Sequence, residues 1–137
     1  MIDNIIFQKQ KKKINNLFKD NKVIFAFLFG SRALKKENEN SDFDIAIFMN
    51  EESKKQRFEN QLFITSKLSA LLKKNVDIVN LNDAKNNFLL FDILKEGKVI
   101  FCSDKEKRFN FETKKLHSIL DFFERHVYKR TNYSKDK

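Results

Sequence analysis

Two apolar runs of strand character, Val23 to Phe29 and Ile45 to Met49, flank a segment that opens on Gly30-Ser31 and closes on Asp42-Phe43-Asp44. A strand ending in Gly-Ser presents bare backbone amides, which suit a phosphate group. Aspartates at i and i+2 on a strand share one face, because side chains alternate. Such a pair is placed to hold Mg²⁺, which takes hard oxygen ligands and shares them with substrate phosphates. An isolated Asp-x-Asp after Ser41 would read as a solvated strand start. Here that reading must also account for the Gly-Ser turn behind an apolar strand.

Gly-Ser, ten residues, then Asp-x-Asp resembles the signature of the DNA polymerase β-like nucleotidyltransferase superfamily. The short length is similar to its minimal branch, the MNT proteins. Val76-Asp77-Ile78-Val79-Asn80-Leu81-Asn82-Asp83-Ala84 resembles the family's third-carboxylate strand. Leu90 to Phe101, with Ile93, Glu96-Gly97 and Val99-Ile100-Phe101, resembles its closing helix, turn and strand. The similarity covers about residues 20–102.

The resemblance implies an α+β nucleotidyltransferase fold: a small mixed sheet of about four strands flanked by helices, one domain over residues 1–137. It implies Asp42, Asp44 and Asp77 as catalytic carboxylates and ligands of two Mg²⁺ ions, with Gly30, Ser31 and Arg32 binding the nucleotide. Arg32 has an alternative reading as a surface arginine. The implied reaction moves NMP from an NTP to a hydroxyl and releases pyrophosphate, through in-line positioning and charge neutralisation.

The acceptor is less constrained. Small-molecule transferases of the superfamily usually carry an added acceptor domain, and this chain has room for only one further helix. That resembles the MNT antitoxins paired with HEPN-domain ribonuclease toxins, which implies ATP as substrate and a toxin tyrosine as AMP acceptor. Two alternatives stay open: an antitoxin acting by occlusion alone, and a transferase for a small molecule.

A chain of 137 residues is long enough for one domain with a real core. No apolar run approaches the roughly 20 residues that span a bilayer, and no signal peptide is expected from Met1 to Asn16. The single cysteine, Cys102, reads as a small hydrophobe in a reducing cytoplasm. The net charge of +9 comes from lysines spread along every helix. That spread, with phenylalanines that lack basic interleaving on a strand, predicts no sequence-specific nucleic-acid binding. An acidic ligand or protein partner fits the charge better.

The patterning predicts a first helix over about 4–19, then strands at Val23–Phe29, Asp42–Phe48, Val76–Leu81 and Lys98–Cys102, with a short helix after Gly30. A helix near Ser53–Lys73 carries Phe58, Leu62, Leu68, Leu71 and Leu72 at helical spacing. Asn82 reads as the N-cap of a helix over Asp83–Glu96, with Asp83 in its first turn and Gly97 in a left-handed C′ position. The last helix, about 105–129, shows a stripe of Phe109, Leu116, Leu120, Phe123 and Val127. Phe111, Ile119 and Phe122 lie off that stripe and read equally as a partner surface or as packing. His117 and His126 are nine residues apart and face away from each other, so both read as surface residues.

Overall fold

Residues 5–30 and 42–128 are described by a computed structural model. Its centre is β1, Val23–Phe29, whose seven residues are all buried. An unbroken apolar run of this kind belongs to a strand covered on both faces. β2 (Phe43–Met49) and β4 (Lys98–Cys102) both pair antiparallel to β1, and β3 (Val76–Asn80) pairs parallel to β2. The resulting mixed sheet has the order β3-β2-β1-β4.

Helices cover both faces. α1 (Ile5–Lys9), α2 (Lys11–Asp20) and α3 (Lys54–Leu72) close one, with Phe7, Ile14, Phe18, Ile64, Leu68 and Leu72 packed on Leu28, Phe43, Ile45 and Ile47. α4 (Asn87–Glu96) and α5 (Lys105–Phe123) close the other, over Phe25, Phe27, Ala46 and Leu81. A π-helical turn, Glu124–Tyr128, follows α5. A register shift between Val23 and Phe25 lets Ile24 and Phe25 both serve the α4–α5 core.

Several local expectations change. The first helix is two, broken at Gln10. Asn82 is not an N-cap: its Oδ1 accepts from the Met49 amide and its Nδ2 donates to the Met49 carbonyl, both at 2.9 Å. It thus ends the β2–β3 pairing by imitating backbone. The cap of α4 is Asn86, which accepts from the Phe88 and Leu89 amides. Asp83 lies before that helix and pairs with Arg57 rather than with a helix dipole. Gly97 is extended (φ −66°, ψ 149°), not left-handed; an added Cβ would run into the Ile93 carbonyl, so close approach explains the glycine.

The inward faces of α3 and α5 match the stripes only in part: Leu68, Leu71 and Leu72 of α3, Phe123 of α5 and Val127 just after it pack on the core as expected. Phe58 and Leu62 of α3 are exposed, and Ile64 joins Leu68 and Leu72 in the core. In α5 the off-stripe residues face the protein: Ile119 is buried and Phe111 and Phe122 pack partly buried on the α4–α5 core. Phe109, Leu116 and Leu120 are 65%, 38% and 45% exposed. The short helix expected after Gly30 lies outside the described residues.

Candidate active site

The sheet brings the aspartates of β2 and β3 together. In the antiparallel register Asp44 lies opposite Phe29, the last residue of β1, and in the parallel register it lies opposite Asp77. Asp42 sits just ahead of β2, beside the turn from α3 into β3. Cross-strand partners share a sheet face, as Asp44 and Asp77 therefore do. This is the face covered by α4 and α5, at the end where β1 runs out. Asp42 and Asp77 are exposed and Asp44 is half-buried.

Electrostatics carries the same message. The Asp44 carboxyl is held above its ordinary value, first by burial, then by the negative charges of Asp77 and Asp42. Three carboxylates close enough for two of them to raise the third form a hard-oxygen donor set. They do not converge to a point: among the described residues no group of three His, Cys, Asp or Glu side chains closes into a metal-binding cluster.

Gly30 completes the corner. Its φ of +74° is in the left-handed region, and a Cβ there would collide with the Asp44 carboxylate. The turn therefore presses bare backbone against the acid that two strands position. Ser31 and Arg32 lie outside the described residues.

Lysines beside the acids escaped the sequence reading. A shallow hollow of about 450 Å³ next to Asp42 is lined by Ser69, Lys73, Lys74 and Asn75. Lys73 ends α3 in the left-handed conformation (φ 55°) and so starts the turn into the strand that bears Asp77. The available signal was position: a Lys-Lys pair directly ahead of that strand. His117 and His126 are both exposed, and Cys102 is a partly buried free thiol packed on the α4–α5 core.

Residues 12–106 match the model of the family "Polymerase beta, Nucleotidyltransferase". Comparison with curated proteins gives no match. Among solved structures, a toxin–antitoxin with AMP-PNP superposes with a TM-score of 0.67 at 26% identity, over 92% of this chain and 96% of that one. A toxin–antitoxin MntA-HepT gives 0.63 at 26%, over 94% and 97%. The MNT antitoxin complex with the tri-AMPylated HEPN toxin of Shewanella oneidensis gives 0.64 at 25%, over 94% and 96%. No described helix is long and apolar enough to cross a membrane. With the family model spanning most of its length and the aspartates of β2 and β3 in register beside a glycine turn, the chain belongs to the polymerase-β nucleotidyltransferase family.

Proposed function

We propose that this protein is an antitoxin that transfers AMP from ATP to a tyrosine hydroxyl of a HEPN ribonuclease in a reducing cytoplasm. The observation that carries the reading is the carboxylate set: Asp44 faces Asp77 across the parallel pair and feels the charge of Asp42. Its support from similarity is whole-chain likeness to antitoxins solved with their toxins, one with AMP-PNP and one with a tri-AMPylated toxin.

In this reading Asp42, Asp44 and Asp77 would hold one or two Mg²⁺ ions. When bound, the metal lowers the pKa of the attacking hydroxyl and offsets charge on the triphosphate. The chain's residues do the rest. Asp77 would accept the proton of the tyrosine hydroxyl. The backbone at Gly30 and the side chain of Ser31 hold the β- and γ-phosphates, and Arg32 adds a charged contact. Lys73 and Lys74 lie close enough to Asp42 to help draw the triphosphate in.

The test is incubation of the protein with the toxin, ATP and Mg²⁺, read by mass. The expected result is a toxin heavier by one or more AMP units, lost with Asp42→Asn or Asp44→Asn. An unmodified toxin that is nevertheless neutralised would assign the protein to occlusion. Transfer to a small molecule with no toxin present would assign it to the third class.

A further inference from the structure

We propose that the groove between α5 and the far end of the sheet is a second, metal-independent site for a nucleoside phosphate. It lies on the same face as the carboxylates. Phe48 in its floor is four residues along β2 from Asp44, about 13 Å at the usual strand rise. The main cavity holds about 510 Å³ and is lined by Phe48 and Phe111 below. Its rim carries the cations Lys107, Lys114 and Arg57 together with the acids Glu51 and Glu52 and the amides of Asn50 and Asn110. A second hollow continues it past Lys115 and Ser118, sharing Phe48, Asn82, Phe111 and Lys114.

The lining is organised by helical spacing. Lys107, Asn110, Phe111, Lys114 and Ser118 recur at three and four residues, so one face of α5 overhangs the groove. The floor is rigid: Phe48 stacks on Phe25 at 5.0 Å with rings 5° from parallel, and Phe111 leans on both. Asn82 is immobilised by its two bonds to the Met49 backbone.

Two of the lining charges are already engaged, and two lysines are left for a ligand. Arg57 is engaged by Asp83 and Glu51 by Lys22 and the Ser53 amide. Among the described residues no ion pair joins Lys107 or Lys114 to a carboxylate; of the α5 acids Glu112 goes to Arg108 and Asp121 to Arg125, while Glu106 beside Lys107 is in neither pair. An aromatic floor, an amide rim and two unpaired ammonium groups two helical turns apart match a flat base joined to phosphate. ATP, the nucleotide of the proposed reaction, is the natural probe.

The experiment is calorimetric titration of the full chain with ATP, adenosine and tripolyphosphate, with and without Mg²⁺. We expect two ATP sites, of which one persists without Mg²⁺ and in the Asp42→Asn/Asp44→Asn variant. Lys107→Glu/Lys114→Glu should weaken that persistent site by about tenfold or more, from loss of charge-assisted bonds. Both lysines are exposed, so an unchanged melting curve is the control for folding. A single site lost with the carboxylates would overturn the proposal. So would tripolyphosphate binding the groove as tightly as ATP, which would leave the floor unused. Loss of toxin binding in the lysine variant, with ATP binding unchanged, would make the groove a protein surface and overturn it too. None of these readouts requires AMP transfer, so the second site stands or falls apart from the proposed reaction.

Discussion

Gly30 and Asp44 illustrate how much a single contact fixes. The glycine has φ +74° and its missing Cβ is the space that the Asp44 carboxylate occupies. Gly30→Val meets both a strained backbone and a steric conflict, for a loss of about 1–3 kcal/mol of stability. It should also weaken ATP binding more than Ser31→Ala, which removes one hydroxyl contact worth roughly 0.5–1.5 kcal/mol. Equal and small effects of the two changes, measured by thermal melting and ATP titration, would remove the phosphates from this turn. Asp44→Asn should act the other way on stability. The native acid is half-buried beside two like charges, so neutralising it should raise Tm in EDTA while abolishing transfer. A lower Tm for Asp44→Asn in EDTA would mean that the carboxylate has a structural partner there.

At the scale of elements, the loops are held by ion pairs that local patterning does not reveal. Arg57 on α3 donates to the Asp83 carboxylate, at 2.6 Å from Nη2 and 3.1 Å from Nε, and to the Glu51 and Glu52 carbonyls. One side chain thus joins the β2–α3 loop to the β3–α4 loop. The Arg57 side chain is 12% and that of Asp83 30% exposed, so solvent screens the pair in part. Hydrogen bonding from Arg57 holds the Asp83 carboxyl below its ordinary 3.8. A depressed acid stabilises the fold fully above that unfolded value, and the contribution is lost as pH falls through the folded one. Tm should therefore fall as pH drops below about 3.8, and Arg57→Ala should lower Tm at pH 7 while flattening that acid limb. A variant with an unchanged limb would show that other carboxylates dominate it.

The same examples show what was legible in advance. β1 was readable to the residue because its continuous apolar run between polar breaks leaves little choice, and β4 because Gly97 marks where α4 stops. The aspartate pair and Asp77 were readable because alternation and family spacing are local signals. Asn82 and Asn86 are both sound caps by composition; a bond to Met49, 33 residues away, decides which one caps. α3 and α5 each carry apolar residues on two faces, so periodicity identified the helices but not the buried side. Lys73 and Lys74 join the site only through the turn of α3 into β3.

For the whole molecule, the two faces of α5 separate folding from association. Phe111 packs on Phe25 and Phe48, and Phe122 on Phe88 and Phe123, so both belong to the body of the protein. Phe109, Leu116 and Leu120 recur at seven and four residues and stand exposed on another face. With whole-chain likeness to antitoxins solved in complex with toxins, that exposed face is where a proposed helical partner would gain apolar burial at little cost to this chain. Phe111→Ser or Phe122→Ser should lower stability by roughly 2–3 kcal/mol each, below the ~3–5 of a fully buried ring. Leu116→Ser/Leu120→Ser should leave Tm within about 2 °C, since exposed substitutions change stability by about 0.5 kcal/mol or less. Titrating the toxin against each folded variant by calorimetry then decides the surface. We expect the Leu116/Leu120 variant to bind at least tenfold more weakly, because two leucines leave a buried contact worth about 1.5–3 kcal/mol each. Wild-type affinity in that variant, with full neutralisation of the toxin, would move the interface off α5.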